Sequence, residues 1–239
     1  MNPSEKTKFI SNWIKLYVDQ MPVKAQTLVI GISGGIDSSV SSTLSAMTGM
    51  KTIVLSMPIR QKDNQHDLSL KHQEWLIKNF KNVEAHTINL DKLFESFSST
   101  LEKFDNEHGY ANSRARLRMT TLYQVAAANR GIVVGTGNKV EDFGVGFYTK
   151  YGDGGVDISP IADCNKTEVW ELGKELGILK EIIDAPPTDG LWDDGRTDEG
   201  QLGFKYEDLE DAMKNPNSPH RQEYEKIRKQ NLHKMEPIP

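Results

Sequence analysis

The sequence contains a single cysteine, Cys164, among its 239 residues, so the chain cannot form an internal disulfide. Disulfides belong mainly to proteins of oxidising compartments, and the lone cysteine favours a reducing one. No apolar run approaches the roughly 20 residues that a membrane-spanning helix needs. The N-terminal segment MNPSEKTKFISNW is charged and lacks the apolar core of a secretory signal. These absences predict a cytoplasmic protein without a membrane anchor.

A strong charge of one sign is also missing. The 29 basic and 34 acidic residues give a formal net charge of −5, and no lysine or arginine run stands out. Proteins that bind nucleic acids usually carry a basic patch or stripe, so we expect no nucleic-acid partner and no membrane partner. A slightly acidic chain can still bind a polyanion if a few basic residues converge on the site.

The sequence does have an alternation of short apolar segments with amphipathic helical patterns. The predicted strands span 27–32, 51–58, 83–90 and 132–137. Such an alternation predicts a doubly wound, mostly parallel α/β sheet with helices on both faces, here as a single domain over residues 1–239. Ligands of these sheets bind at the carboxyl ends of the strands, where Ser33, Ser56 and Thr136 should converge.

The most informative segment is SGGIDSS, residues 33–39, which follows the first predicted strand and opens a helix. A glycine-bearing turn between a strand and a helix offers a phosphate backbone N–H groups and the positive end of a helix dipole. Asp37 places a carboxylate where a phosphate would repel it, which indicates a divalent cation between the two. Without a ligand, the same aspartate is compatible with capping the following helix.

SGGxDS resembles the pyrophosphate-binding loop of the ATP-pyrophosphatase superfamily, whose members split ATP between its α and β phosphates. Four further segments accompany it: NSRARLRM (112–119), GTGNKVED (135–142), FYTKYGDGGVDISPI (147–161) and PPTDGLWDD…TDEGQLGFKYEDLEDAM (186–213). In this order and spacing, and with HK at 233–234, the chain resembles the ammonia-dependent NAD synthetases. The resemblance implies a ligase that joins ammonia to deamido-NAD (nicotinate adenine dinucleotide) through an acyl-adenylate, giving NAD, AMP and pyrophosphate. Such a reaction needs no Ser-His-Asp or Cys-His nucleophile, because the carboxylate of the substrate attacks ATP.

On the ATP side, the resemblance assigns binding to the loop and to three later residues. These positions are Gly31, Ile32, Ser33, Gly34, Gly35, Ile36, Asp37, Ser38, Thr136, Lys166 and Thr188. Asp37 and Glu141 match the magnesium ligands of the family, and Lys166 and Thr188 match its catalytic phosphate contacts. From the residues alone, Glu141 is also compatible with a solvated helix position, Lys166 with a helix-start lysine and Thr188 with a turn.

On the deamido-NAD side, the matching positions are Arg116, Lys150, Asp157, His233 and Lys234. Cations suit a diphosphate, and a carboxylate suits ribose hydroxyls. Arg116 is also compatible with a surface arginine, since three alternate arginines on one helix point to different faces. The pair at 233–234 is also compatible with a frayed tail. Asp153 in KYGDGG either holds ammonium and takes its proton or shapes a glycine turn.

The chain departs from the commonest family pattern at three places. At position 36 the chain has isoleucine, where the family frequently has glutamine. It has Gly137–Asn138 where Asp-His is common in the family, and TDGLWDD where TADLxD is common. These departures affect the packing of the lid and the fine substrate contacts, and they leave the phosphate chemistry unchanged. The stretch 184–203, rich in Asp, Gly and Pro, predicts a mobile lid loop over the site.

The source of nitrogen follows from the position of the cysteine. Glutamine-dependent members of the family carry an amidase domain with a catalytic cysteine ahead of the synthetase part. Only 26 residues precede the first predicted strand, and Cys164 lies far downstream. We therefore expect no glutaminase domain, and free ammonia or a separate partner as the source. The resemblance also implies a homodimer, with the dinucleotide partly bound at the interface.

Two other functions stay open from the sequence alone. Another ATP-pyrophosphatase could act on a different acceptor, as tRNA-thiolating and GMP-forming ligases do. One cysteine is too few for a thiolating pair, and no basic patch suits tRNA. A non-catalytic nucleotide-binding module on the same sheet would give no reason for Glu141, Lys166 and Thr188 to accompany Asp37.

Overall fold

The computed structural model describes residues 1–60, 63–188, 191 and 197–236. The strands in these ranges are β1 (Thr27–Gly31), β2 (Lys51–Ser56), β3 (Val83–Thr87) and β4 (Gly131–Val133). The helices are α1 (Pro3–Gln20), α2 (Ile36–Met47), α3 (Asp63–Asn79), α4 (Asp91–Thr100), α5 (Glu107–Ala128), α6 (Lys166–Glu175), α7 (Lys180–Ile183), α8 (Asp198–Leu202), α9 (Tyr206–Lys214) and α10 (Arg221–Met235). A 3-10 helix spans Glu102–Phe104, and a π-helix spans Val140–Val145.

The described strands form one parallel sheet in the order β3-β2-β1-β4. β1 lies between β2 and β4, pairing along its whole length with β2 and over 27–29 with β4. The chain therefore begins in the middle of the sheet, winds outward to β3 and then crosses to the other side of β1. Such a reversal of winding leaves a crevice at the carboxyl ends of the two strands that flank it. Here those strands are β1 and β4.

Apolar side chains of β1 alternate between two cores, because successive residues of a strand point to opposite faces. Leu28 and Ile30 pack with buried side chains of α1, α2, α3 and α6 on one face of the sheet. Val29 packs with β2, α4 and α5 on the other face. The predicted parallel sheet with helices on both faces is therefore confirmed.

A third apolar cluster joins the π-helix to the C-terminal helices. Its buried members are Val140, Val145, Tyr206, Leu209, Ala212 and Tyr224. The cluster brings α9 and α10 against the π-helix, which begins shortly after the carboxyl end of β4. The sequence patterns did not predict the π-helix or α9. No helix in the described part of the chain combines the length and the apolar character needed to cross a membrane.

The predicted elements differ from the observed ones mainly at their ends. The strand predicted at 83–90 ends at Thr87, and the one predicted at 132–137 ends at Val133, because apolar residues continue into the loops. The stretch 184–203, predicted as a lid loop, contains α8 in its described part. Residues 189–190 and 192–196 of that stretch lie outside the described residues, and its mobility stays a prediction.

Candidate active site

The turn after β1 leads directly into α2 and forms one wall of the crevice. Gly34 has φ +90°, a left-handed conformation that residues with a Cβ rarely adopt. Ser33 N donates to Ser38 Oγ at 3.2 Å, and Gly35 N donates to Ser33 Oγ at 3.2 Å. Among the described residues no side chain caps the start of α2. The positive end of its dipole therefore faces the crevice and suits an anion.

Lys166 lies at the centre of the site, 2% exposed, between two carboxylates. Its Nζ donates to Asp37 Oδ2 at 2.5 Å and to Glu141 Oε1 at 3.0 Å. Asn138 Nδ2 donates to the other oxygen of Asp37 at 3.1 Å. Asp37 belongs to the first turn of α2, Glu141 to the π-helix, and Lys166 is the first residue of α6. We call Asp37, Glu141 and Lys166 the charged triad.

The position of Lys166 depends on how α6 begins. Glu168 Oε2 accepts a hydrogen bond from Asn165 N at 2.8 Å, which holds the residue before the helix against its first turn. Glu210 of α9 adds to this, accepting from Thr167 N at 2.9 Å and from Thr167 Oγ1 at 2.7 Å. The N-terminus of α6 is thereby fixed from two sides, and the lysine that begins the helix enters the site in one orientation.

Burial and neighbouring charges act against each other in the triad. Burial raises the pKa of Asp37, and the charge of Glu141 adds to this, while Lys166 opposes both. Burial also opposes the charge on Glu141, but Lys166 and the Tyr206 hydroxyl outweigh it and lower the pKa of Glu141. Burial would lower the pKa of Lys166, yet the two carboxylates raise it. The lysine is therefore a permanent cation at neutral pH.

Asp142 is a further carboxyl in the crevice, and sequence reasoning did not select it. It follows Glu141 in the π-helix, and both residues line the crevice. A Cβ on Gly137 would lie 2.1 Å from Asp142 Oδ2, so the missing side chain at 137 makes room for this carboxyl. Burial raises the pKa of Asp142 to about 8, and the charges of Glu141 and Asp153 add to the shift. A proton is therefore held here near neutral pH.

Two further residues of the site, Tyr206 and Asp198, were also missed. Tyr206 is fully buried, and its hydroxyl donates to Glu141 Oε1 at 2.6 Å. The same hydroxyl lies 3.4 Å from Asp198 Oδ2, and the Tyr206 ring centroid lies 4.8 Å from Lys166 Nζ. The only signal for either residue was its place in the quoted segment 186–213, because no spacing rule connects them to Glu141.

The ATP-side predictions converge on this crevice. Its lining includes Gly31, Ile32, Ser33, Asp37, Ser38, Thr136, Glu141, Asp153 and Thr188. Gly34, Gly35 and Ile36 complete the turn. The side chain of Ile36 is buried against α6, where a Cβ on Gly173 would lie 2.6 Å from Ile36 Cδ1. Ile36 can therefore meet a phosphate only through its backbone. Which of these atoms bind ATP stays a prediction.

Four of the residues assigned to deamido-NAD lie close together, three joined by hydrogen bonds and the fourth bonded to the loop after the π-helix. Arg116 donates to the backbone oxygen of Lys150 at 3.2 Å, and Lys150 Nζ donates to that of His233 at 2.7 Å. Lys234 Nζ donates to Gly146 O at 2.5 Å. We call Arg116, Lys150, His233 and Lys234 the rim group. Their cations hold together α5, the loop after the π-helix and α10.

The two remaining predicted aspartates differ in their contacts. Asp157 lies apart from the rim group, accepting from Val133 N at 2.7 Å and from Tyr123 Oη at 3.0 Å. Burial and this carboxylate raise the pKa of Tyr123 to about 12. Asp157 thus anchors the edge strand β4. Asp153 accepts from Thr149 N at 3.0 Å, as a turn-shaping aspartate does, and it also lines the crevice. Its role with ammonium stays a prediction.

The carboxylates of Asp37 and Glu141 also suit a small divalent cation, because they converge on one positive group with oxygen donors. Within the described residues no cluster of three or more His, Cys, Asp or Glu could hold a metal. Mg²⁺ in nucleotide sites takes one or two carboxylates and completes its shell with phosphate oxygens and waters. The residues present therefore fit a cation that arrives with a nucleotide.

Comparison with known proteins gives one family. Residues 6–237 match the NAD synthase family model. The NH3-dependent NAD+ synthetase of Carboxydothermus hydrogenoformans is 38% identical over 216 residues, covering 88% of this chain and 85% of the relative. The solved structure of NMN synthetase from Francisella tularensis superposes with a TM-score of 0.92 at 33% identity, covering 100% of this chain and 98% of that one.

The fold recurs in a more distant solved structure. The NH3-dependent NAD synthetase from Campylobacter jejuni superposes with a TM-score of 0.80 at 24% identity, covering 100% of this chain and 99% of that one. The family match spans the turn over 33–39, the charged triad and the rim group alike. By its sequence and its fold, the chain belongs to the NAD synthase family.

Proposed function

We propose that this chain uses ATP to join ammonia to the nicotinate carboxylate of deamido-NAD, the last step of NAD biosynthesis. The products are NAD, AMP and pyrophosphate, and an acyl-adenylate is the intermediate. The observation that carries the proposal is Lys166, held between Asp37 and Glu141 beside the uncapped start of α2. One cation and two metal-binding carboxylates next to an anion site suit a triphosphate whose α–β bond breaks.

The chemistry explains why positioning is enough. A carboxylate resists attack by ammonia because its charge is delocalised and it has no good leaving group. Its attack on the α-phosphorus of ATP expels pyrophosphate and forms an acyl-adenylate, from which ammonia then displaces AMP. The chain then has to bind, orient and neutralise charge. Backbone N–H groups of the turn over 31–38 hold the pyrophosphate half, Lys166 neutralises it as it departs, and Thr136 and Thr188 contact the nucleotide from the facing walls.

Magnesium belongs to the proposal through Asp37 and Glu141. With phosphate oxygens and waters these two carboxylates would hold Mg²⁺, which when bound supplies charge neutralisation at the phosphates. Asn138 fixes one of them through its hydrogen bond to Asp37. Lys166 keeps the pair from repelling each other before the nucleotide enters.

The acceptor lies next to the nucleotide in this proposal. Arg116, Lys150 and Lys234 supply cations for its diphosphate, while His233 and Asp157 contact its sugar and base portions. Asp153 receives the proton of ammonium. A homodimer that completes the acceptor site, and a cytoplasmic location, belong to the same proposal. The first follows from the family resemblance, and the second from the single cysteine.

An assay of pyrophosphate release tests the reaction directly. With ATP, Mg²⁺, ammonium and deamido-NAD, we expect stoichiometric NAD, AMP and pyrophosphate. Omission of ammonium should leave a burst of acyl-adenylate without turnover. Pyrophosphate that forms equally without the dinucleotide, or not at all, would contradict the proposal.

One observation favours a second acceptor, nicotinate mononucleotide. The NMN synthetase structure superposes on the whole chain with a TM-score of 0.92, whereas the Campylobacter NAD synthetase gives 0.80. Its sequence identity to this chain is also higher, 33% against 24%. Both acceptors present the same nicotinate carboxylate and ribose phosphate, so the charged triad serves either one. They differ in the AMP half that only deamido-NAD carries. The relative at 38% identity favours the dinucleotide.

The two acceptors can be compared in one experiment. The ratio of kcat/KM for deamido-NAD to that for nicotinate mononucleotide is measured with ATP and ammonium at saturation. A ratio above about tenfold supports the dinucleotide, and the inverse ratio supports the mononucleotide. Removing the rim cation in Lys234→Met should lower kcat/KM for deamido-NAD while changing that for the mononucleotide little.

A further inference from the structure

We propose that the Tyr206 hydroxyl is a positioning group for the metal carboxylate Glu141, and that it connects this carboxylate to the segment carrying Thr188. The inference rests on the proposed function, because it takes Glu141 as a ligand of the nucleotide-bound cation. Tyr206 touches no reacting atom in this proposal. It acts by holding Glu141 in the orientation that the cation requires.

The first support is the geometry around Glu141. Tyr206 Oη lies 2.6 Å from Glu141 Oε1, and Lys166 Nζ lies 3.0 Å from that same oxygen. Two donors thus hold one oxygen of the carboxylate, while the side chain remains 15% exposed towards the crevice. A carboxylate fixed through one oxygen can offer the other to a cation without first losing rotational freedom. Fixing ligands through their outer partners commonly changes metal affinity by about 10–100-fold.

The second support is the way Tyr206 itself is held. Its side chain is fully buried, with the ring edge-on to Trp170 at 6.0 Å between centroids. The ring also lies beside Lys166, 4.8 Å from its Nζ. Glu210, one turn further along α9, fixes the start of α6 through Thr167. α9 therefore presents two residues, four positions apart on one face, to the base of the charged triad.

The third support is the connection to the segment that follows Thr188. Tyr206 Oη lies 3.4 Å from Asp198 Oδ2, at the first residue of α8. Asp198 N donates to Pro187 O at 3.0 Å, directly before Thr188. Tyr206 N in turn donates to Glu199 Oε1 at 3.3 Å. A single hydroxyl thus lies between the metal carboxylate and the backbone that places Thr188 in the crevice.

The test uses Tyr206→Phe, which removes the hydroxyl and keeps the ring packed on Trp170 and beside Lys166. The measurement is the affinity for ATP by calorimetry, once with Mg²⁺ and once with EDTA. We expect the Mg²⁺-dependent gain in ATP affinity to fall about tenfold, since hydrogen bonds to charged groups are among the stronger ones. Affinity in EDTA should change less than about twofold.

Tyr224→Phe is the matched control, because Tyr224 is a buried tyrosine of the same apolar cluster that lies away from the triad. This variant should keep the wild-type Mg²⁺-dependent gain in ATP affinity. If Tyr206→Phe keeps the gain as well, or lowers affinity equally with and without Mg²⁺, the hydroxyl has only a structural role and the inference is wrong.

A double-mutant cycle tests whether the hydroxyl acts through Glu141. In a Glu141→Gln background the hydroxyl has no metal carboxylate to position, so adding Tyr206→Phe should change the Mg²⁺-dependent gain no further. Additive losses would overturn the inference. Turnover of wild-type protein with deamido-NAD is measured in parallel. Its absence would contradict the proposed reaction, whereas the binding ratios judge the role of Tyr206 separately.

Discussion

The interior of the crevice and the rim group are built from the same kinds of residue but are held in different ways. In the interior, Lys166 is buried and its charge is matched by Asp37 and Glu141. At the rim, Lys150 and Lys234 are partly exposed and donate to backbone carbonyl oxygens. The interior pairs side-chain charges with each other, whereas the rim leaves its positive charges without a carboxylate partner in those contacts.

This difference separates two kinds of binding. A nucleotide that enters the interior meets charges already in place, so little ordering remains to oppose binding. An acceptor at the rim has to replace carbonyl oxygens as the partner of each lysine, or bind beside them. Electrostatic preorganisation should therefore govern the ATP step, and rearrangement of the loop after the π-helix should govern acceptor affinity.

The largest expected effect is that of Asp37→Asn. The amide keeps the shape but removes one of the two carboxylates proposed to hold Mg²⁺, and with it one partner of Lys166. We expect acyl-adenylate formation to fall about a thousandfold, at the upper end for loss of one electrostatic group. Pyrophosphate release measures the effect, and circular dichroism should show an unchanged fold. Turnover near the wild-type rate would remove Asp37 from the metal site.

Lys166→Met should come next, because it leaves two largely buried carboxylates without their cation. Breaking a buried pair in this way typically costs about 3–5 kcal/mol of stability. The free energy of unfolding, measured in urea, should fall by that order in EDTA and recover partly with Mg²⁺, which replaces the lost charge. Equal losses with and without Mg²⁺ would show that the carboxylates do not share a metal.

A pH effect should come from His72, which lies behind α2 on the interior side. The ring is fully buried, and its Nε2 lies 3.0 Å from Ser42 Oγ. Burial lowers the pKa of His72 to about 4, from about 6.5 in the unfolded chain. The folded state thus binds fewer protons between these values. His72 therefore contributes about 3 kcal/mol to the free energy of unfolding above about pH 6.5. This contribution is lost as the pH falls to about 4.

Urea unfolding at several pH values measures this contribution. His72→Gln should flatten the decline of stability between pH 6.5 and 4. His233→Gln, at the exposed rim, should leave that decline as in the wild type. If stability still declines unchanged in His72→Gln, the decline arises from other groups, such as the paired carboxylates.

The smallest effect should be that of Lys234→Met at the rim. The substitution removes a cation and a hydrogen bond to Gly146 O while keeping most of the aliphatic chain. We expect the dissociation constant for deamido-NAD to rise about tenfold and that for ATP to change less than about twofold. Lys229→Met, on an exposed part of the same helix, should change neither. Equal losses of both ligands would mean that the interior and the rim are one cooperative unit.

The sequence was sufficient for the sheet and for the glycine-bearing turn between β1 and α2, because both depend on local patterns. Apolar runs alternate with helical ones, and the turn needs glycine at 34 and hydroxyls at 33 and 38 within a few residues. The resemblance then supplied Glu141 and Lys166, and the structure brings both to Asp37.

Tyr206, Asp198 and Asp142 could not be found in this way. Tyr206 and Glu141 lie 65 positions apart in the sequence, and their contact depends on how α9 packs on the π-helix. Asp142 lines the crevice beside Glu141, its neighbour in the π-helix, where the absent side chain of Gly137 leaves room for it. A residue pattern of period 3.6 or 2 carries no sign of either event.

The space shared by Gly137 and Asp142 has a consequence for comparing this chain with its relatives. Where aspartate is common at position 137, this chain has glycine, and the carboxyl group of residue 142 fills the volume that a side chain there would take. A carboxyl group thus reaches this volume from a residue five positions later in the chain. In relatives, a bulky residue at the position of Gly137 should coincide with a small residue at the position of Asp142.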